Sequence, residues 1–313
     1  MMASLPPAIF LMGPTAAGKT DLAMDLAAEL PVDVISVDSA LVYRGMDIGT
    51  AKPEPELLCQ VPHALVDICE PEDAYSAARF RDDALGEMKK ITARRRIPLL
   101  VGGTMLYFRA LEHGLSELPP SDPQVRGRLQ QRLEEEGTAV LHAELARVDP
   151  AAAGRIHVND PQRILRALEV MELTGQPLSL LQEQNKGSRL PYRLVKLIRA
   201  PARRKLLHER IEKRFARMLE LGFEDEVRRL MARPGFSPEL PSMRAVGYRQ
   251  MIDHLQGRLG RDEMRERAVA ATRQLAKRQF TWLRRELDAT WLNDESGNLL
   301  EQAVKVIESN KVL

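Results

Sequence analysis

At 313 residues, with 44% hydrophobic and 29% charged side chains, the chain can bury a sizeable core, which excludes a disordered polypeptide. No apolar run approaches the ~18 residues that span a bilayer. The two cysteines, Cys59 and Cys69, cannot build a four-ligand zinc site and read as buried or half-buried thiols of a reducing compartment. The formal net charge of +2 hides an asymmetry: residues 1–70 hold three basic residues against ten acidic ones, and the remainder 43 against 34.

The first apolar run, "AIFLM" at 8–12, passes straight into "GPTAAGKT" with no basic leader or cleavage site, so it reads as a buried strand of a cytoplasmic protein. Residues Gly13, Pro14, Thr15, Ala16, Ala17, Gly18, Lys19 and Thr20 match the phosphate-cradling spacing G-x-x-x-x-G-K-[ST], with a strand before it and a helix at 18–30 after it. Gly13 and Gly18 let the backbone turn tightly so that amides point at the anion, and the helix N-terminus adds its positive dipole. Lys19 supplies a mobile positive charge, and the Thr20 hydroxyl a ligand for Mg²⁺. The spacing specifies a bound phosphate without saying whose: a kinase, an NTPase or a group transferase can all use this loop.

A second strand, "VDVISV" at 32–37, delivers Asp38 and Ser39. If the two strands are neighbours, this carboxylate faces the phosphate loop, where it can hold Mg²⁺, accept a proton as general base, or cap a turn. A third strand is expected at 65–68 ("LVDI"), a helix at 76–96, and a fourth strand at 97–101 ("IPLLV") leading into the loop "GGTMLYFRAL". Strands alternating with helices predict a parallel sheet covered on both faces, with its ligands at the carboxyl ends of the strands.

Between 116 and 190 the strands stop. Polar helices at 122–137, 138–148 and 161–174, closed by "QNKGSRLP", read as a helical insertion domain. The chain returns as a strand at 192–198 ("YRLVKLI") and is then nearly all helix, at 203–221, 223–232, 242–256 and 261–287, with a short "TWLN" and a last helix near 298–309. The expected fold is therefore α/β: a P-loop NTPase-like parallel sheet core from 1–115 and 191–313, the insertion at 116–190, and C-terminal helices. Five basic residues and no acidic one fall within 273–285, which suits either a polyanionic partner or a solvated helix face.

In this order "GPTAAGKT", "SVDSALVYRGMDIGTAKP", "VGGTMLYFRAL", "NDPQRILRALEV", "SMRAVGYRQ" and "TRQLAKRQFTWLR" resemble the bacterial tRNA dimethylallyltransferases, from about residue 8 to about 293. The second and fifth stretches are far more specific than the phosphate loop. The resemblance implies transfer of a dimethylallyl group from its diphosphate to N6 of the adenosine 3′ of the anticodon, at position 37. The loop then cradles a leaving diphosphate, with Mg²⁺ at Thr20 as cofactor, and Asp38 takes the proton of the adenine nitrogen.

The resemblance further places Thr104 between donor and acceptor, Arg126 at the reaction site and Arg214 as a second diphosphate contact. Its tRNA-contacting segments match Asp38, Ser39, Ala40 and Leu41; Gln162, Arg163, Ile164, Leu165 and Arg166; Arg244, Ala245, Val246, Gly247, Tyr248 and Arg249; and Gln274, Lys277, Arg278 and Gln279. Arg273, Lys277 and Arg284 are expected on one helix face for backbone phosphates, with Phe280 and Trp282 packing in the core. No Cys or His cluster follows, so tRNA binding is expected to rest on helices alone. The implied partners are the tRNA anticodon stem-loop and dimethylallyl diphosphate, with no membrane, and the chain is expected to be a monomer. Three rivals remain: a small-molecule kinase, a nucleotide-switched RNA-binding protein, and an isopentenyltransferase of free adenine nucleotides. The second loop and the basic helices speak against the kinase, and the basic helices against the free-nucleotide enzyme, because a small acceptor needs no such surface; the RNA-binding protein stays open.

Overall fold

In the computed structural model, which describes residues 5–184, 188–292, 294 and 297–310, the apolar runs pair as one parallel sheet. Its strands are β1 (Pro7–Met12), β2 (Val32–Val37), β3 (His63–Ala64), β4 (Ile97–Gly102), β5 (Arg193–Arg199) and β6 (Thr290–Leu292), in the order β3-β2-β4-β1-β5-β6. Strands buried on both faces read as near-continuous hydrophobic runs, and β1 and β4 are of this kind. On one face Ile9, Leu11, Val34, Leu99 and Leu197 pack with Leu22 and Leu26 of α1 (Lys19–Glu29) and Ile307 of α14 (Leu299–Ser309).

The third strand departs from expectation. Leu65 and Asp67 adopt positive φ (65° and 54°), which no strand accommodates, so β3 is only His63–Ala64. The segment expected as strand instead hangs on the loop after β2: Asp67 donates its amide to the Leu41 carbonyl, and Ile68 and Cys69 donate theirs to Val42. A short helix, α2 (Pro55–Gln60), precedes it, and α3 (Ala77–Ala93) follows, capped by Ser76 accepting from the Arg79 amide. The stretch read as a loop after β4 is mostly α4 (Met105–His113), whose apolar Tyr107, Phe108, Ala110 and Leu111 lie at helical spacing.

The chain divides into two compact units, Met1–Leu111 with Pro191–Leu313, and Glu112–Leu190. The second unit opens at Glu112, not 116, because the Leu190 amide closes onto the Glu112 carbonyl. It holds α5 (Pro123–Glu136), α6 (Thr138–Val148), α7 (Pro150–Arg155), α8 (Pro161–Thr174) and α9 (Leu178–Gln184) around Leu129, Leu141, Leu145, Ile164, Leu165 and Leu168. Of the loop expected to close it, residues 185–187 lie outside the described residues, as does Asn293 of "TWLN".

In the first unit α10 (Arg204–Glu220) and α11 (Phe223–Met231) follow β5. The next helix, α12 (Tyr248–Leu255), starts six residues later than the pattern suggested, because Gly247 turns the chain at φ 96° and the Ser242 hydroxyl is tied to the Pro71 carbonyl at 2.6 Å. Finally α13 (Arg261–Leu283) ends short of 287, with Arg284 as its cap, in helical conformation and with its amide on the Phe280 carbonyl. Among the described residues no helix is long and apolar enough to cross a membrane.

Candidate active site

Four strand ends converge on a cleft of about 1450 Å³ within the first unit: β1 delivers the phosphate loop, β2 Asp38, β4 Gly103 and Thr104, and β5 Arg199. β1 and β2 are not neighbours, since β4 lies between them. Asp38 nonetheless shares the cleft with Lys19, whose charge it favours.

The loop turns at Ala16 (φ 61°) and Gly18 (φ 84°) and opens α1 with no side-chain cap, so the helix amides face the cleft uncovered. Gly13 serves another purpose than turning: a Cβ there would collide with the Arg199 carbonyl oxygen, so glycine permits the close approach of β1 to β5. Lys19 donates to the Pro14 carbonyl at 2.8 Å. Burial lowers its pKa to about 8, helped by the nearby Arg214 and Arg199 guanidiniums and opposed by Asp38.

Arg214, on α10, donates to the Thr15 hydroxyl at 2.8 Å, and its own pKa is lowered by burial, with Asp38 opposing. Two further cations flank the loop that sequence reading passed over. Arg199, 4% exposed at the end of β5, is ion-paired with Asp294, and Arg210 lies 3.6 Å from the same carboxylate. The signal was available: a charged residue closing a buried strand beside the phosphate loop has few other reasons to be there.

Asp38 uses its Oδ1 to accept the amides of Ala40 (2.8 Å) and Leu41 (3.4 Å). The turn-capping reading is thus realised, and Oδ2 remains for the cleft. Thr104 Oγ1 accepts the Ser39 amide at 3.1 Å and its own amide donates to the Val37 carbonyl, which ties the β4 loop to the β2 loop. Thr104 is therefore held beside Asp38.

The residues expected to contact tRNA lie in several different settings. Ser39, Ala40, Leu41, Arg244, Ala245, Val246, Gly247 and Arg278 line the cleft. Gln162, Arg163, Arg249, Gln274 and Lys277 are exposed, Arg163 lying 3.4 Å from Asp160. Ile164 and Leu165 are at most 1% exposed and pack in the core of the second unit, so neither presents its side chain to a ligand, whereas Tyr248 lies buried in the wall of the cleft with its hydroxyl on Glu226. Gln279 is also placed differently, with its amide between the phosphate loop and Gly103.

Arg166 is committed to structure too, donating to Glu169 at 2.8 Å and to the Pro119 carbonyl at 2.6 Å. Glu169 is buried in the second unit, and Arg126 sits 3.9 Å from it. Arg273 is ion-paired with Glu212, which offsets its charge. Trp282 lies half-buried between the guanidiniums of Arg109 (5.1 Å) and Arg285 (5.9 Å), and Phe280 stacks on Trp291, so neither is the core residue expected. Cys59 is exposed, contrary to its reading as a buried thiol, and Cys69 is buried.

One organising residue was missed altogether. Glu226, 1% exposed on α11, accepts the amides of Asp47 (2.9 Å), Ile48 (2.7 Å) and Gly49 (3.0 Å) and the Tyr248 hydroxyl (2.6 Å). It thereby pins "MDIGT" to the helices, and Gly49 has no room for a side chain against the Phe223 and Tyr248 rings. Its place in the apolar series Phe223, Val227, Leu230 was the available clue, because a carboxylate on a buried helix stripe needs donors.

A model of the IPP transferase family matches residues 41–286. The chain is similar to the full-length tRNA isopentenylpyrophosphate transferase of Bacillus halodurans, at 36% identity over 97% of this chain and 98% of that one, with a TM-score of 0.69. It is similar to the tRNA delta(2)-isopentenylpyrophosphate transferase of Staphylococcus epidermidis, at 32% identity over 97% and 99%, TM-score 0.68. A eukaryotic dimethylallyltransferase acting on tRNA matches at 26% identity over 98% of this chain and 79% of that one, TM-score 0.82. With its phosphate loop, switch-point carboxylate and a family match over most of its length, this chain belongs to the IPP transferase family.

Proposed function

We propose that this protein transfers the dimethylallyl group of dimethylallyl diphosphate to N6 of adenosine 37 in tRNA, acting as a cytoplasmic monomer. The observation that carries the reading is that one cleft is lined both by a phosphate cradle and by Arg244, in the turn before α12, with Arg278 and Trp282 on α13. A donor and a macromolecular acceptor can meet there.

The allylic C–O bond breaks as charge develops on the departing diphosphate. Lys19, Arg214, Arg199 and the uncapped amides of α1 stabilise that charge in place. As the C–N bond forms, Asp38 accepts the proton of the adenine nitrogen, and Thr104, fixed by the Ser39 amide, positions both partners. An unpaired base of the anticodon loop can be turned into the cleft, which Trp282 also lines.

Mg²⁺ fits the donor set. Thr20 opens α1 in the cleft, and the Ser36 hydroxyl, buried two residues before Asp38, has no hydrogen-bond partner among the described residues. No cluster of three or more His, Cys, Asp or Glu side chains suited to a metal occurs among them, so the available donors are hard oxygens, as Mg²⁺ held mainly by a diphosphate requires. When bound, Mg²⁺ supplies further neutralisation of the leaving diphosphate. The test is transfer of label from dimethylallyl diphosphate to unmodified tRNA: labelled tRNA is expected, whereas phosphoryl transfer from ATP without alkylation would overturn the proposal.

A further inference from the structure

The two ends of the phosphate loop are treated differently. At the helix end the amides of α1 carry no side-chain cap. At the other end both polar groups of Thr15, the third residue of the motif, are already engaged. Its amide donates to Gln279 Oε1 at 2.9 Å, and its hydroxyl accepts from Arg214 Nη2 at 2.8 Å. The Gln279 amide is fixed at its far side as well, where Nε2 donates to the Gly103 carbonyl at 2.9 Å. Gly103 leaves room for this: a Cβ at that position would collide with Gln279 Nε2. The side chain is therefore a strut between α13, the phosphate loop and the β4 loop.

In a cradle of this spacing the inner phosphates lie on the amides that open the helix, and the outermost phosphate of a triphosphate lies toward the first half of the loop, within reach of the lysine. We infer that Gln279, with Arg214, closes the outer end of the cradle, so that the loop accepts a diphosphate chain and rejects a triphosphate. A diphosphate binds on the open amides with the strut in place. A triphosphate needs the space and the Thr15 amide that Gln279 occupies, and must break two hydrogen bonds to obtain them. Gln279 is thus a specificity-determining residue, and it rests on the reading of the loop as a cradle for a diphosphate donor.

The test uses the full chain at pH 7 with Mg²⁺, and measures equilibrium binding of inorganic diphosphate and inorganic triphosphate by calorimetry. The wild type is expected to prefer diphosphate by about tenfold or more, the worth of one or two hydrogen bonds. Gln279→Ala is expected to narrow that preference by about tenfold, chiefly by tighter triphosphate binding. Gln279→Met, which keeps the length of the side chain without its polar atoms, serves if the alanine variant melts early. Equal affinity of the wild type for both anions, or an unchanged ratio in a folded variant, overturns the inference. No tRNA enters the measurement. A chain that discriminates but fails to alkylate tRNA therefore sinks the proposed function alone, and one that alkylates tRNA without discriminating sinks this inference alone.

Discussion

Raising the pH from 7 to 9 should weaken diphosphate binding through one residue, Lys19. With its pKa lowered to about 8 by burial, this lysine is about nine-tenths charged at pH 7 and about one-tenth charged at pH 9. The sign follows: the anion needs the ammonium, so affinity is nearly full at pH 7, about half at pH 8 and falls steadily above it. If only the charged form binds, the apparent Kd rises about tenfold over those two pH units. The bound anion restores the charge, so binding at pH 9 takes up close to one proton. Calorimetry in two buffers of different protonation enthalpy reads that proton directly. Lys19→Arg, which does not titrate in this range, gives the background from the ionisation of diphosphate itself. The reasoning is refuted if wild type and Lys19→Arg show the same pH profile and the same proton uptake between pH 7 and 9.

Asp38→Asn should lower the single-turnover transfer rate by about 100-fold or more with tRNA affinity nearly unchanged, since the turn amides still find an acceptor while the base is gone; near-normal transfer would remove Asp38 from that role. Glu226→Gln keeps the size of the side chain but removes the charge that receives three amides and a hydroxyl; a loss of about 2–3 kcal/mol in urea unfolding is expected, and a change under 0.5 kcal/mol would show that the loop 47–49 is held otherwise. Arg278→Ala should weaken tRNA binding and flatten its salt dependence by about 0.7–1 in the log–log slope, with the rate at saturating tRNA retained. An unchanged slope would take Arg278 off the tRNA surface.

The sheet and the phosphate loop were legible because their signals are local. A strand buried on both faces is an apolar run, and a glycine–lysine spacing dictates a backbone conformation whatever surrounds it. Strand order was less accessible: nothing in "VDVISV" says that β4 would separate it from β1. The third strand was misplaced because Leu65 and Asp67 look extended in sequence yet take positive φ, which is imposed by hydrogen bonds to residues 41 and 42.

Among site residues, Asp38 and Lys19 announce themselves by position in a motif. Arg199, Glu226 and Gln279 act through partners 177 or more residues away in the last case and the case of Glu226–Gly49, so only the assembled helices show what they do. Tyr248 illustrates the converse. It sits in a recognisable segment, but its side chain is spent on Glu226, and segment membership alone could not tell a contact from a support.

The activity proposed for this protein is alkylation of an adenosine in tRNA by a diphosphate donor. Unmodified tRNA incubated with the protein, Mg²⁺ and dimethylallyl diphosphate, then digested to nucleosides for mass spectrometry, tests it most directly. The predicted result is one adenosine, 3′ of the anticodon, carrying a dimethylallyl group in place of an N6 hydrogen, with release of diphosphate. Unaltered adenosine after incubation with folded protein that binds both the diphosphate and the tRNA would contradict it.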